Sequence, residues 1–187
     1  MEPIRTDPEL GSLVDEHGEL PIGTAEDEFE RFVVAIVNQQ LSVESAAAIR
    51  ERLFDRIEVT PAGVREADES TLRDVGLSGQ KIEYVRNVAD AFEDGDLTRE
   101  GLDGVADETV IDRLTDIRGV GVWTGKMYLI SVLGRPDVFP VEDLGIRKGM
   151  AELYGFEEDD REGMVDHAER WRPYRSYASR YLWRVVD

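Results

Sequence analysis

Five residues wedged between two helical patterns constrain this chain more than anything else in it. Val110, Ile111 and Leu114 recur at helical spacing within Asp107 to Asp116, and Trp123, Met127 and Ile130 do so within Val122 to Leu133. Between them, Ile117-Arg118-Gly119-Val120-Gly121 is too short for anything but a tight turn, so residues 107–133 must form a helical hairpin. Two glycines permit positive φ and let a backbone approach a partner closely. The amides at the start of the second helix lack internal acceptors and make an anion site that suits a phosphate. The same glycines would also serve as caps of an ordinary αα-hairpin, because helices routinely end on glycine.

The residues after the hairpin add chemistry. The apolar second helix carries the chain outward, and the loop from Gly134 to Glu142 is long enough to bring it back. Asp143 can therefore lie beside the hairpin. It also precedes Leu144-Gly145-Ile146, where it is placed to N-cap the next helix. The two roles are compatible. Capping amides and the helix dipole favour an ionised carboxylate, which can stabilise developing positive charge or orient an attacking water. Glu142 is the neighbouring rival.

The charge balance looks wrong for a nucleic-acid partner. The net charge is −19, whereas most DNA-binding domains are basic. The distribution is uneven, however. Acids crowd residues 1–30, with Arg5 the one base there, while Arg170, Arg172, Arg175, Arg180 and Arg184 face no acid within residues 170–186. Arg118, Lys126, Arg135, Arg147 and Lys148 outnumber the acids between residues 117 and 150. The proposed site is thus locally positive on an acidic body. Lysine is scarce, confined to Lys81, Lys126 and Lys148. An acid-rich, lysine-poor composition is like that of proteins from salt-rich cytoplasm, where counterion release no longer drives DNA binding and fixed hydrogen bonds must carry it. With no cysteine, a disulfide framework, a thiolate zinc site and an iron–sulfur cluster are excluded. No apolar run is long enough to span a membrane and no charged-then-apolar leader is visible, so a cytoplasmic protein is expected.

The rest reads as short helices. Thr6 to His17 is a weakly amphipathic candidate, and Thr24 is placed to cap a helix over Glu26 to Asn38 whose Phe29, Phe32, Val33, Ile36 and Val37 share one face. Asn38-Gln39-Gln40-Leu41-Ser42 breaks that pattern; its glutamines are either simply solvated or partner-facing. Further helices are expected over Val43 to Ile57, from Thr60-Pro61, over Ala67 to Val75, and over Gly79 to Phe92. Lys81, near the start of the last of these, is expected in solvent, with a phosphate contact as the alternative. Asp94-Gly95-Asp96 and Asp103-Gly104 are turns without the spacing of a calcium loop. Helices are also expected from Asp143 to Leu153, around Met164 to Trp171, and after Pro173. No strand alternation, repeat or low-complexity segment is visible.

Four blocks taken together resemble the helix–hairpin–helix DNA glycosylase superfamily, and within it the 3-methyladenine DNA glycosylase II branch. They are I-R-G-V-G-V-W-T-G-K with F-P-V-E-D-L-G-I-R-K, A-I-V-N-Q-Q-L-S, G-L-S-G-Q-K-I-E-Y-V-R, and A-E-R-W-R-P-Y-R-S-Y-A. The resemblance covers most of the chain from about Phe29 onward. It implies an all-α helix–hairpin–helix glycosylase fold, with two helical lobes flanking an active-site cleft. A single domain over 1–187 would hold one lobe at about 29–105 and a second at about 106–187 joined by the N-terminal segment. It implies Asp143 as the catalytic carboxylate, and a DNA grip from Arg118, Gly119, Gly121 and Thr124. Gln40 falls at the wedge position that fills the gap left by a flipped nucleotide, with Gln39 the next candidate. Trp123 and Trp183 match aromatic positions of the base pocket, although burial in a core would explain either one equally. Met127 stands where the family has another aromatic residue. Trp123 also occupies the place of the Schiff-base lysine of bifunctional members, and an indole forms no imine. The family's N-terminal β-rich domain is not expected, because few residues precede Phe29.

The resulting expectation is a monofunctional, monomeric glycosylase without cofactor or metal. Its partner is double-stranded DNA carrying a damaged base, with no membrane involved. It excises alkylated purines of the 3-methyladenine type and leaves an abasic site. The alternatives are a glycosylase for uracil or mismatched thymine, and a hairpin module that binds DNA without chemistry; Asp143, Trp123 and the Q-Q-L-S block separate the enzyme from the binder.

Overall fold

The computed structural model describes residues 1–93 and 95–186, and the side chains of all of these except Val43. Asp94, expected in a turn, lies outside the described residues. Among the described residues the protein is all-α: twelve α-helices, one 3-10 turn and no strand. They fall into two compact units, one formed by Ala25–Tyr128 and the other by Met1–Thr24 with Leu129–Asp187.

The unit Ala25–Tyr128 is built on α3 (Glu28–Asn38). Its expected apolar face is buried, with Phe29, Phe32, Val33, Ile36 and Val37 all 3% exposed or less. The helix starts later than Thr24 suggested. Asp27 is the cap, its carboxylate accepting from the Glu30 amide at 2.8 Å. An acid at that position satisfies an orphan amide and meets the positive end of the dipole at once, so nothing recruits Thr24. Next come α4 (Val43–Arg56), capped by Ser42, and the short α5 (Pro61–Glu66), capped by Thr60. Then come α6 (Glu69–Asp74), shorter than expected, and α7 (Gly79–Phe92), capped by Ser78. Phe92 at the end of α7 meets Phe29 and Phe32 edge-on at 5.5 and 5.7 Å, an arrangement that adds attraction beyond the area buried.

The hairpin belongs to this unit. Its helices are α8 (Asp107–Thr115) and α9 (Val122–Ser131). The expected lobe boundary near residue 105 is therefore displaced: the unit runs on to Tyr128, inside α9. Tyr128 is what anchors that end. It is 2% exposed, its ring lies 4.5 Å from that of Phe32, and its hydroxyl donates to the Leu97 carbonyl at 2.7 Å. A buried phenol needs such an acceptor.

The other unit packs α1 (Glu2–Arg5) and α2 (Pro8–His17) with α10 (Leu144–Tyr154), α11 (Arg161–Ala168), the 3-10 turn Glu169–Trp171 and α12 (Arg175–Val186). Ile4 and Leu10 are fully buried in one core with Met150, Trp171 and Tyr181. Burial of this kind contributes about 1.5–3 kcal/mol for each large aliphatic side chain. Asp7, only 6% exposed, caps α2 and also accepts from the Trp171 indole at 3.0 Å and the Tyr154 hydroxyl at 2.7 Å. Burial pushes its carboxyl up, but these bonds and those from the Leu10 and Glu9 amides outweigh it and hold the group below its ordinary value.

Candidate functional site

The elements singled out in the sequence divide between the two units. The hairpin, the glutamine corner, Trp123 and Met127 lie in the unit 25–128; Asp143 and Trp183 lie in the other.

The two glycines of the hairpin are glycine for different reasons. Gly119 has φ 103°, and a Cβ there would sit 2.2 Å from Cγ of Tyr84 on α7. Its identity is demanded from inside the protein. Gly121 is exposed, lies outside the left-handed region, and would place a Cβ with nothing within 4 Å. No internal packing explains it, and the backbone there is open to close approach by a partner. The first ladder bond of α9 runs from the Gly125 amide to the Gly121 carbonyl at 3.0 Å, so the amides before Gly125 stand ahead of the ladder. Thr124 is only 3% exposed, so a phosphate contact there falls to its main chain and not to its hydroxyl. Arg118 is directed to solvent, with a side chain 73% exposed and an ion pair to Glu83 at 2.6 Å.

The glutamine corner differs from the sequence reading in one respect. Gln39 is turned inward onto the hairpin, its Nε2 donating to the Gly119 carbonyl at 3.1 Å. Gln40 is exposed and holds φ 56°, the one positive φ outside glycine among the described residues. Such a conformation is costly for a side chain of this kind and marks a corner held by its surroundings. Lys81 is not a solvent-directed lysine. Its ammonium donates to the Val37 carbonyl at 2.7 Å and the Gln39 carbonyl at 2.8 Å, closing the end of α3, and burial lowers its pKa. Trp123 and Met127 are half-buried, and Met127 lines a small pocket with Phe32, Ala35, Thr124 and Tyr128.

In the other unit Asp143 caps α10 as its position predicts, Oδ1 accepting from the Ile146 amide at 3.0 Å. The same oxygen accepts from the indole Nε1 of Trp183 at 2.9 Å. Two donors on one oxygen fix the carboxylate's orientation. Gly145 makes room for this, since a Cβ there would lie 3.0 Å from both Asp143 Oδ1 and Trp183 Cδ1. The preceding loop is held from several sides. Arg147 donates to the carbonyls of Val141 (3.2 Å) and Glu142 (2.6 Å), and the Asp143 amide to Pro140 (2.9 Å). The Ser176 hydroxyl takes the Val138 amide at 2.9 Å and donates to the Arg135 carbonyl at 2.6 Å. Of the two neighbouring acids, Asp143 is the one on the cap.

The basic C-terminal stretch is less basic than it reads. Arg172 and Arg175 both bind the Asp137 carboxylate, at 2.6 and 2.7 Å, and both bind Glu169. Much of that charge is consumed inside its own unit.

Comparison with known proteins settles the fold family. The profile described as HhH-GPD superfamily base excision DNA repair protein matches residues 33–173. The chain belongs to the HhH-GPD superfamily. DNA-3-methyladenine glycosylase 1 of Schizosaccharomyces pombe is 35% identical over 84% of this chain and 72% of its own length. DNA-3-methyladenine glycosylase 2 of Escherichia coli is 29% identical over 84% of this chain and 57% of its own. The solved structure of the S. pombe 3-methyladenine DNA glycosylase in complex with abasic DNA superposes with a TM-score of 0.85. It is 30% identical and covers 97% of this chain and 93% of that one. The chain spans about two thirds or less of the length of several curated relatives it matches.

Within this superfamily member, sequence reasoning missed the roles of Lys81, Tyr84, Asn87 and Gly145. Lys81 and Tyr84 lie in a block that carries the family resemblance, yet nothing in their spacing says that one closes a helix end and the other lies under a glycine. The nearest signal was a lysine in the first turn of a helix, where the dipole disfavours a cation.

Proposed function

We propose that this protein is a monofunctional, monomeric DNA glycosylase that removes alkylated purines, 3-methyladenine first, from double-stranded DNA. The observation that carries the reading is Asp143: a helix-capping carboxylate fixed by the Trp183 indole, in a chain of the HhH-GPD superfamily. The names of the similar proteins point to the same substrate class.

The mechanism is one of charge. The hairpin amides near Gly121 grip backbone phosphates, and Gln40 enters the stack where the damaged nucleotide leaves it. Alkylation at a ring nitrogen puts positive charge on the purine and weakens its glycosidic bond. When the bond from C1′ to the base nitrogen breaks, the electron pair leaves with the base, which departs neutral. Positive charge is left on the sugar. The Asp143 carboxylate stabilises that charge. Water then adds to C1′, and its proton passes to the carboxylate and on to solvent. An activated leaving group needs no strong general acid. The residues assigned to the site include no histidine; His17 and His167 lie outside the motifs. An indole face would favour a cationic base by about 0.5–2 kcal/mol, so selectivity also depends on easier flipping and faster bond breaking. Trp123 at the Schiff-base position leaves no amine there, and the product is an abasic site without a strand break.

The test is incubation with duplexes that each carry one lesion, followed by alkali. Asp143→Asn should bind the lesion duplex as the parent does and excise nothing. Equal single-turnover rates for the two proteins remove Asp143 from the chemistry. Release of uracil but of no methylated purine replaces the substrate class.

A further inference from the structure

One face of α7 ties together two elements that the proposed function places on DNA. Lys81, Tyr84 and Asn87 recur every three residues along that helix. Each meets either the glutamine corner or the hairpin. The Lys81 ammonium bonds the carbonyls of Val37 and Gln39. The Tyr84 ring fills the space over Gly119. The Asn87 amide donates to the Arg118 carbonyl at 3.2 Å. The link is closed by Gln39, whose backbone carbonyl is held by Lys81 while its side chain donates to Gly119. All of these residues lie within the unit 25–128.

We propose that Lys81 is a positioning residue that holds Gln40 at a set distance from the hairpin, so that nucleotide extrusion and phosphate grip stay in register. Lys81 lies in the first turn of α7, where its charge opposes the dipole of its own helix. That cost is offset by the carbonyl end of α3, whose terminal acceptors have no helical donors left. An ammonium can donate in several directions at once, and here it takes one carbonyl from the last turn of α3 and one from Gln39 beyond it. Fixing the Gln39 carbonyl fixes the peptide plane that enters Gln40, the residue held at φ 56°. Without that clamp the corner can relax to negative φ, and the Gln40 side chain then leaves its direction. Lys81 is thereby committed to protein carbonyls and acts on DNA only through the corner.

This inference rests on the glycosylase reading, and its test separates the two. The probes are a duplex bearing a tetrahydrofuran abasic analogue beside 2-aminopurine, and the same duplex undamaged. Affinity is read by anisotropy and unstacking by 2-aminopurine fluorescence, well below each variant's melting midpoint. Lys81→Met should reduce the preference for the abasic duplex by about tenfold, the scale of one charge-assisted hydrogen bond, and suppress the fluorescence rise. Affinity for the undamaged duplex should stay within about twofold of the parent's, since no phosphate contact is lost. Lys81→Arg, which keeps the donors, should recover most of the preference, and Gln40→Ala should cause no further loss in the Lys81→Met background. If Lys81→Met does not fold, Asn87→Ala removes the second tie and reads the same ratio. Equal weakening on both duplexes overturns the assignment, because it makes Lys81 a phosphate contact. An unchanged ratio overturns it too. A parent protein with no preference for the abasic duplex instead overturns the glycosylase reading itself.

Discussion

Replacing each hairpin glycine by alanine should damage a different property. At Gly119 a Cβ would lie 2.2 Å from Cγ, 2.6 Å from Cδ1 and 2.7 Å from Cβ of Tyr84. The ring has little freedom to retreat, because Gln80 holds its hydroxyl at 2.6 Å and the neighbouring Val85 is 1% exposed. Overpacking of this sort costs about 1–3 kcal/mol, and a side chain at φ 103° adds about 1–2 kcal/mol. The stiffer unfolded chain returns about 0.4–1 kcal/mol. Gly119→Ala should therefore destabilise by about 1–4.6 kcal/mol. At about 2–4 °C per kcal/mol for a chain of this size, the melting midpoint should fall by about 2–18 °C. Gly121→Ala places its methyl in open space, so it should melt within about 2 °C of the parent. It should nevertheless bind duplex DNA more weakly, because a methyl now stands where the phosphate approaches. Losing one charge-assisted bond of about 1.5–3 kcal/mol means about ten- to hundredfold in affinity. Differential scanning calorimetry and anisotropy on one undamaged duplex measure both effects. Parental affinity in a well-folded Gly121→Ala protein would refute the assignment of the hairpin as the DNA contact. Parental stability in Gly119→Ala would refute the packing argument.

Trp183→Phe keeps an aromatic ring but removes the donor to Asp143, so single-turnover excision should slow by about tenfold or more while lesion affinity holds. A parental rate would leave Trp183 as packing alone. His167 should make stability depend on mild acid. Its Nε2 is buried without a partner and its ring lies among Tyr154, Phe156 and Trp171; burial first, then Arg170, lowers its pKa, against an opposing pull from Asp7. A folded-state value below the unfolded value of about 6.5 gives stability that is complete above that pH and lost as pH falls below it. His167→Phe should gain on the parent in melting midpoint between about pH 7.5 and about pH 5; a constant difference would show that His167 titrates alike in both states.

How much of this was visible beforehand varies with the kind of signal. Local signals carried well. Ser42, Thr60, Ser78 and Asp143 each cap the helix that their neighbours imply, because capping depends on three or four consecutive residues. The α3 face was legible for the same reason. Thr24 misled because Asp27, three residues on, is the stronger cap. Long-range signals were invisible. The hydroxyl of Tyr128, at the end of the unit that stops inside α9, reaches Leu97, and Gln39 and Lys81 turn inward to carbonyls far away in sequence. Trp183 was singled out through the family resemblance, but its hydrogen bond to Asp143 spans forty positions and needs Gly145 to admit it.

The charge pattern was legible and still incomplete, and the reason bears on how an acidic protein could hold DNA. Counting residues makes the C-terminal stretch a basic surface, yet Arg172 and Arg175 are bound to Asp137 and Glu169, and Arg118 is bound to Glu83. Lys81 is bound to carbonyls. With a net charge of −19, long-range repulsion works against association with a polyanion. On the proposed reading the phosphate grip acts at contact distance, through backbone amides that carry no net charge and are aligned before the DNA arrives. An aligned amide costs nothing to order at the moment of binding, and it needs no counterion release to be effective. That places the demand on geometry. It is consistent with a hairpin in which the Arg118 and Gly119 carbonyls are each held by a side-chain amide, from Asn87 and Gln39, and whose inner glycine is pressed against a tyrosine ring.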